Sequence, residues 1–197
     1  MFISFEGLDG CGKTTQAALF ADAARAAGHE VVAVREPGGT AAGERIRALL
    51  LDPGARIAPW AEALLYAAAR AELVAEVIRP ALDRGATVVA DRYVDSSLAY
   101  QGVARGLGVA EVLQVNLAAT GRLLPDRTIV IELPRDVAAA RREGAADRME
   151  AEADAFHAAV AEGFADVARR FPERIVVVDG AGQPGDVAAR VQAEVAL

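Results

Sequence analysis

Five short β-rich runs alternate with helical segments along the chain, and this alternation constrains the fold more than any other feature of the sequence. The runs are Phe2–Glu6, Glu30–Val34, Ala86–Ala90, Arg127–Glu132 and Arg174–Val178. Strands that alternate with helices predict a parallel sheet whose two faces are covered by helices. Apolar runs without polar alternation, such as Ile129–Ile131, are typical of strands buried on both faces. We therefore predict an α/β fold with an open, parallel, five-stranded sheet.

Length, charge and cysteine content narrow the class of protein further. The chain has 197 residues, 53% of them apolar, and no linker divides it, so we expect a single domain over residues 1–197. A formal net charge of −7 argues against a nucleic-acid partner, because proteins that bind nucleic acid without sequence preference need a basic face. No segment approaches the ~20 apolar residues of a membrane span. With no signal-peptide pattern and one cysteine, Cys11, we expect a reducing, cytoplasmic setting.

A glycine-rich segment follows the first β-rich run directly and opens a helix. Its residues, Gly7, Leu8, Asp9, Gly10, Cys11, Gly12, Lys13 and Thr14, fit the eight-position phosphate-binding loop (P-loop) pattern in full. The glycines let backbone N–H groups surround phosphate oxygens, and the helix N-terminus adds a positive dipole. Lys13, the only lysine of the chain, is expected to reach the β- and γ-phosphates of a nucleotide, and the Thr14 hydroxyl to bind Mg²⁺. We interpret Cys11 as a small residue in a tight loop, with a reactive thiol as the alternative.

Two charged residues, Asp91 and Arg92, follow the third β-rich run. In an open parallel sheet the carboxyl ends of the strands line the ligand crevice, so both side chains are expected to face the phosphates. Asp91 is then placed as a partner of Mg²⁺ or of a metal-bound water. Arg92 is placed to bind the phosphate of an acceptor and to neutralise charge during transfer. An Asp–Arg pair on the surface is the alternative.

A helical segment from about Ala61 to Arg79 carries an arginine on its apolar side. At about 100° per residue, Arg70 falls inside the apolar arc of this helix, and Tyr66 lies one turn earlier within it. An arginine that faces the interior is costly unless it finds a partner. The spacing leaves open whether Arg70 forms an ion pair or points into a cleft.

Three arginines surround a loop of small residues in the last third of the chain. Arg141, Arg142 and Arg148 lie around Gly144–Ala146, between two predicted helices. This pattern indicates a lid over about residues 141–150 that closes and brings positive charge to the γ-phosphate. A solvated run of charges is the alternative.

A P-loop by itself fits kinases, GTPases and ATPase motors. The guanine-recognition signature Asn-Lys-x-Asp cannot occur, because the chain has no second lysine. A motor would normally carry more domains than 197 residues allow. The sequence therefore favours a kinase. A regulator that closes on ATP without transferring phosphate remains the alternative from another class.

Together these residues resemble the thymidylate kinase family, whose members phosphorylate dTMP to dTDP with ATP. The resemblance covers almost the whole chain. It rests on the Gly7–Thr14 loop, on Arg35–Thr40, on Asp91–Gln101, and on Asp147–Glu150, where the lid runs into the next helix. It implies one nucleoside-monophosphate-kinase-like domain of the P-loop NTPase type with a small lid. It also implies dTMP and ATP as substrates, Mg²⁺ as cofactor, and a homodimer.

The resemblance further implies a role for each residue around the sugar and phosphate of dTMP. Asp9 would hold the 3′-hydroxyl, Arg92 would bind the phosphate, and Tyr100 would crowd the 2′ position and favour deoxyribose. Gly10 stands where some members carry a catalytic arginine, so the resemblance assigns that charge to the lid, to Arg142 or Arg148.

Around the base, the resemblance implies that Tyr66 stacks on thymine and that Arg70 donates a hydrogen bond to its O4. Ser97 and Gln101 would lie beside the base, and the Arg35–Thr40 motif adds Glu36 and Pro37 to the substrate site. A kinase for another nucleoside monophosphate or for a deoxynucleoside is the nearest alternative, and it would be favoured if dTMP showed no preference over dCMP or dAMP.

Overall fold

The computed structural model describes residues 1–141 and 147–195. Five strands form one sheet: β1 (Phe2–Glu6), β2 (Val31–Arg35), β3 (Thr87–Asp91), β4 (Arg127–Glu132) and β5 (Ile175–Asp179). Their order is β2-β3-β1-β4-β5, and every neighbouring pair is parallel. The prediction of an open, parallel, five-stranded sheet is confirmed.

Three strands begin and end one residue later than predicted, namely β2, β3 and β5. The backbone explains the shift of β3. The amide of Ala86 closes the preceding turn by donating to Ala81 O (3.0 Å), whereas the amide of Thr87 donates to Glu30 O (2.8 Å). The pairing of β3 with its neighbour therefore begins at Thr87.

Helices cover both faces of the sheet, and the described residues form nine α-helical elements. These are α1 (Lys13–Ala26), α2 (Ala41–Leu51), α3 (Pro59–Leu73), α4 (Arg79–Asp83), α5 (Val94–Ser97), α6 (Val109–Thr120), α7 (Arg135–Ala140), α8 (Asp154–Arg170) and α9 (Pro184–Glu194). One apolar core, which includes Phe2, Val88 and Phe164, lies against one face of the sheet. The other, which includes Phe5, Phe20 and Ile129, lies against the opposite face. No helix among the described residues combines the length and apolar character needed to cross a membrane.

The helix predicted from about Ala61 to Arg79 is not one regular α-helix. After α3 the chain forms a π-helical turn over Val74–Ile78 before α4 begins, and the amide of Arg79 donates to Val74 O, five residues back. Pro80 has no N–H to donate, and its ring would collide with the carbonyl one turn earlier in a regular α-helix. The wider turn relieves that conflict. A second π-helical turn, Leu98–Ala104, continues α5.

The register of the sheet brings the predicted motifs to one edge. Phe5 and Arg35 both pair with Asp91, one on each side of β3. The P-loop after β1, the Glu36 segment after β2 and Arg92 after β3 therefore leave the sheet side by side at its carboxyl edge. In open α/β sheets this edge holds the ligand crevice.

Candidate active site

A cleft at this edge brings together side chains from motifs that are far apart in the sequence. Its lining includes the predicted residues Asp9, Lys13, Thr14, Glu36, Pro37, Tyr66, Arg70, Asp91, Arg92, Ser97, Tyr100 and Gln101. It also includes Arg35, Arg47, Asp147 and Met149, which were not assigned to a site from the sequence. The P-loop lines one end of the cleft, which we call the donor end after its predicted role, and α3 with the segment after β3 lines the other, which we call the acceptor end.

Two glycines of the P-loop, Gly7 and Gly10, pack so closely against neighbouring backbone that no larger residue fits there without strain. Gly7 and Gly10 have φ values of +133° and +86°. A Cβ on Gly7 would lie 2.5 Å from Ile131 O, and one on Gly10 would lie 2.0 Å from Ala138 O. An arginine at position 10 would meet α7, so this loop cannot supply a catalytic arginine from that position without a backbone shift.

Cys11 is buried inside this loop, where its amide donates to Leu8 O (3.2 Å). Burial raises the pKa of its thiol above the ordinary value, which outweighs the nearby Lys13 charge. A buried, protonated thiol is a weak nucleophile. These observations favour the interpretation of Cys11 as a small loop residue.

The carboxylate of Asp9 lies between the two ends of the cleft. Lys13 Nζ donates to Asp9 Oδ1 (3.0 Å) from the donor side, and Arg92 Nη2 donates to the same oxygen (2.5 Å) from the acceptor side. The Tyr100 hydroxyl donates to Asp9 Oδ2 (3.3 Å). Burial alone would raise the pKa of Asp9, but Arg92 and Lys13 hold it well below the ordinary value. Asp9 is therefore a charged carboxylate that joins a donor-side cation to an acceptor-side cation.

Thr14 and Asp91 lie together at the start of α1. The Thr14 hydroxyl donates to Asp91 Oδ2 (2.6 Å). The other oxygen, Asp91 Oδ1, is buried and has no hydrogen-bond partner within residues 1–141 and 147–195. A hydroxyl oxygen and a carboxylate oxygen without a hydrogen-bond partner are ligands of the kind that Mg²⁺ binds. Among the same residues no group of three or more His, Cys, Asp or Glu side chains is placed to hold a metal. A cation at Thr14 and Asp91 would thus need further oxygens from a phosphate or water.

Arg92 adopts a left-handed backbone conformation, with φ of 72°, at the turn after β3. Its guanidinium donates to Gly7 O (3.1 Å) and to Ser96 Oγ (2.9 Å), besides Asp9. Glu6, at the end of β1, fixes the same turn by accepting from the Tyr93 amide (2.7 Å) and from Ser96 Oγ (2.5 Å). Burial, together with Asp95, raises the pKa of Glu6 to about 8. The sequence analysis did not single out Glu6, although an acidic residue that ends a buried apolar strand was a usable signal.

Arg70 both forms an ion pair and lines the cleft, so the two alternatives left open by the helix spacing hold together. Its side chain is 1% exposed. Nε and Nη2 contact Glu36 Oε2 (2.7 and 2.6 Å). Nη2 also donates to Tyr93 O (3.0 Å), and Nη1 donates to Ser97 Oγ (3.0 Å) and to Asn116 Oδ1. Glu36 Oε1 is buried without a hydrogen-bond partner among the described residues. Burial raises the pKa of Glu36, against the Arg70 charge.

Tyr66, on α3 one turn before Arg70, lines the same end of the cleft. Burial raises the pKa of Tyr66 to about 12, so the phenol is neutral near pH 7. The Tyr100 ring lies edge-on to Phe156 and Phe164, with centroids 6.2 and 6.1 Å apart. These contacts fix an aromatic surface beside Asp9 and Arg92.

Glu62 of α3 is the common partner of several polar side chains next to the acceptor end. It is fully buried and accepts from Gln101 Nε2 (3.0 Å) and from Arg105 Nη2 (3.1 Å). Arg148 Nη1 lies 2.8 Å from Glu62 Oε2, while Arg148 Nε donates to Leu50 O (2.6 Å). Arg148 is thus bound to the acceptor-side helices instead of facing the P-loop. Arg142, the other lid arginine assigned to catalysis, lies outside the described residues.

A second groove lies beside the P-loop and shares Lys13 and Thr14 with the cleft. It is lined by Gly10–Gln16, Arg141, Gly180, Gly182, Pro184 and Val187. The segment after β5 was missed by the sequence analysis. Its position at the carboxyl end of a strand was the signal that could have found it.

The comparison with protein families decides between the kinases that such a cleft would suit. A family model described as "Thymidylate kinase" matches residues 5–191. The chain belongs to the thymidylate kinase family. The predicted resemblance is thereby confirmed, and the chain is a kinase, a phosphotransferase whose phosphoryl donor is ATP.

Individual thymidylate kinases match over most of their length. The thymidylate kinase of Deinococcus radiodurans is 46% identical over 197 residues, which cover 99% of this chain and 96% of that protein. That of Symbiobacterium thermophilum is 52% identical over 181 residues, covering 91% and 85% of the two chains. The crystal structure of thymidylate kinase from Ehrlichia chaffeensis superposes with a TM-score of 0.80 at 32% identity, covering 98% of this chain and 97% of that one. The P-loop NTPase type of fold is confirmed with the family.

Proposed function

We propose that this chain transfers the γ-phosphoryl group of ATP to the phosphate of dTMP, giving dTDP and ADP, in the cleft between the P-loop and α3. The observation that carries the proposal is the double contact of Asp9, which holds Lys13 at 3.0 Å and Arg92 at 2.5 Å. A cation from the donor end and a cation from the acceptor end therefore contact the same carboxylate oxygen. Phosphoryl transfer requires positive charge on both sides of the transferred group.

At the acceptor end, we assign the dTMP phosphate to Arg92, with Arg47 as a further cation on the lining. Asp9 binds the 3′-hydroxyl, and Tyr100, whose hydroxyl reaches Asp9, lies where it crowds the 2′ position. Tyr66 stacks on the base, and Arg70 donates to its O4. Ser97, Gln101, Glu36 and Pro37 complete the pocket around thymine.

At the donor end, the backbone of Gly7–Thr14 binds the ATP phosphates, and Lys13 reaches the β- and γ-phosphates. Thr14 and Asp91 would hold Mg²⁺, which fits the unpartnered Asp91 Oδ1. Bound there, the ion would neutralise charge on the phosphates. The groove with Arg141 and the segment after β5 receives the rest of the nucleotide.

An ATP-dependent reaction and a free Cys11 thiol support a cytoplasmic location.

The chemistry needs no general base, because the dTMP phosphate is already an anionic nucleophile near pH 7. Catalysis is positioning together with charge neutralisation by Lys13 and Arg92.

We propose one domain over residues 1–197 with a lid over about residues 141–150. Asp147 and Met149 from this segment line the cleft, where closure would exclude water. Arg142 stays a candidate for the charge at the γ-phosphate, and Arg148 could supply it only after leaving its contacts with Glu62 and Leu50.

The direct test is a product assay with ATP, Mg²⁺ and dTMP, in which nucleotides are separated and quantified. We expect dTDP and ADP to form in equal amounts. ATP binding without turnover would favour the regulator, and ADP formation without dTDP would indicate hydrolysis in place of transfer.

Replacing Tyr100 by alanine is expected to relax the discrimination against ribose. The ring is 7% exposed and stands beside Asp9, so its removal opens the space that a 2′-hydroxyl would need. The ratio of kcat/KM for dTMP over its ribonucleotide counterpart should fall about tenfold or more. Tyr100→Phe, which keeps the ring, is the control and should retain the discrimination. An unchanged ratio in Tyr100→Ala would remove Tyr100 from the sugar site.

We also propose that the chain forms a homodimer through α2 and α3. Trp60 and Leu64, one turn apart on α3, are 42% and 53% exposed, and Leu49 on the adjoining α2 is 47% exposed. Large apolar side chains grouped on a surface are typical of a protein interface. Sedimentation equilibrium should give twice the chain mass of 20.5 kDa, and Leu64→Glu should shift the mass toward the monomer. A wild-type monomer at micromolar concentration would contradict the proposal.

A further inference from the structure

Asn116 is a buried polar residue that neither the cleft nor the family motifs account for. It lies on α6, 1% exposed, and does not line the cleft. Asparagine is a poor helix former, and a buried amide is costly unless it is hydrogen-bonded. Both of its polar atoms have partners: Nδ2 donates to Val112 O (2.8 Å), and Oδ1 accepts from Arg70 Nη1. Because a guanidinium has only donors, Oδ1 is the atom that must face Arg70.

The partners of Arg70 fall into two groups according to their position. Tyr93 O and Asn116 Oδ1 hold the guanidinium from behind, since neither residue lines the cleft. Glu36 and Ser97 contact it on the cleft side. Arg70 donates one hydrogen bond to each of these four residues, and Nη2 also forms an ion pair with Glu36 Oε2, so every nitrogen of the guanidinium already has a partner. A base carbonyl that approaches Arg70 from the cleft side therefore replaces one of the cleft-side partners.

Ser97 is the partner that a base can replace at least cost. Its hydroxyl is neutral and can rotate, whereas Glu36 carries the opposite charge and contacts two nitrogens of Arg70. Nη1 has two N–H groups, one directed at Ser97 Oγ and the other at Asn116 Oδ1. With the second held by Asn116, the first points into the cleft. An exchange from the serine hydroxyl to a base carbonyl then requires no movement of the guanidinium.

We infer that Asn116 is a positioning residue for the acceptor base: it holds Arg70 from α6 so that the N–H now on Ser97 meets O4 of thymine. This inference rests on the proposed function, in which Arg70 faces O4 of dTMP. Without the amide oxygen, one N–H of a buried cation loses its acceptor. The guanidinium then tilts toward its remaining acceptors. The N–H that donates to Ser97 Oγ is no longer directed so that the base carbonyl can replace the serine hydroxyl.

The test is Asn116→Leu, a change of similar volume, assayed in the full-length chain. The loss of one hydrogen bond to a charged group is large enough to change a binding constant about tenfold. We expect KM for dTMP to rise about tenfold while kcat and KM for ATP stay within about twofold. Val112→Ala is the matched control, because it removes apolar volume from the same buried face of α6 and leaves the acceptor of Arg70 in place. It should leave KM for dTMP unchanged.

A change on the substrate separates positioning of Arg70 from a general effect of α6. In the analogue of dTMP with sulfur in place of O4, the acceptor is weaker and the rest of the base is the same. The wild type should prefer dTMP over this analogue in kcat/KM, and Asn116→Leu should bring the ratio toward one. Equal losses for both substrates, a wild-type ratio near one, or an unchanged KM for dTMP would overturn the inference. If Asn116→Leu does not fold, Asn116→Ala removes the same acceptor and is assayed in the same way. A wild type that does not phosphorylate dTMP would instead refute the proposed function.

Discussion

Lys13→Ala should lower kcat for dTMP phosphorylation by about 10²- to 10³-fold and leave the fold intact. The loss follows from the removal of a fixed positive charge at the transferred phosphoryl group. The side chain is 8% exposed and held by Asp9 Oδ1 and Leu8 O, so its position is set before any nucleotide binds. Folding should suffer little, because Asp9 keeps its second cation, Arg92, when Lys13 is removed. Initial rates and thermal unfolding of the same preparation measure both expectations.

The matched control for Lys13→Ala is Arg25→Ala on the same helix. Arg25 lies in the last turn of α1, is about half exposed and pairs only with Asp22 in the described structure. Its removal takes one positive charge from α1 without touching the P-loop, and kcat should stay within about twofold, since exposed pairs contribute little. If Lys13→Ala retained near-normal kcat, the assignment of Gly7–Thr14 to the ATP phosphates would be wrong.

Arg70→Met should cost about 3–5 kcal/mol of the free energy of unfolding, in addition to weakening dTMP binding. The change leaves the Glu36 carboxylate, 4% exposed, without its counterion, and breaking a buried pair is penalised by this amount. The double variant with Glu36→Gln removes the unpaired charge and should recover most of the loss. Urea unfolding of the wild type, of Arg70→Met, of Glu36→Gln and of the double variant gives the four free energies of this double-mutant cycle. Additive losses in the double variant would contradict the ion-pair account.

The stability deficit of Arg70→Met should also depend on pH. Burial already raises the pKa of Glu36 in the native protein, and without Arg70 nothing opposes that rise. The folded variant then binds a proton that the unfolded chain has released, so stability falls as the pH rises from the unfolded pKa to the folded one. The deficit relative to the wild type should be smaller at pH 5 than at pH 8. A deficit independent of pH would indicate lost packing in place of an unpaired charge.

Local patterns predicted the five strands to within one residue and the P-loop as a whole. The apolar run Ile129–Ile131 predicts a buried strand from its own residues, and the P-loop is contiguous in sequence and directly follows β1. The strand order β2-β3-β1-β4-β5 is not encoded by any single run. The π-helical turn at Val74–Ile78 is an intermediate case. The apolar spacing alone predicts a regular helix through Arg79, and Pro80, directly after it, was a signal that the prediction did not use.

The acceptor end depends on contacts between residues that are distant in sequence. Helix spacing placed Arg70 in the interior, yet its partners Glu36 and Asn116 lie 34 and 46 positions away, and neither could be paired with it from spacing. The contact of Arg148 with Glu62 is of the same kind. Such contacts are set by how α3, α6 and the strand ends pack together. This is why the family resemblance could assign residues to the base, whereas the sequence did not indicate which residues hold those side chains in place.

The central claim is that this cleft selects dTMP, and a scan of acceptors tests it most directly. Initial rates of ADP release are measured with ATP and Mg²⁺ at limiting concentrations of dTMP, dUMP, dCMP, dGMP and dAMP. We expect kcat/KM for dTMP to exceed that for dCMP by about 10²-fold or more, because cytosine carries an amino group where Arg70 requires an acceptor. A similar rate with every acceptor, or a faster rate with dCMP or dAMP, would contradict the assignment of Arg70 and Tyr66 to thymine.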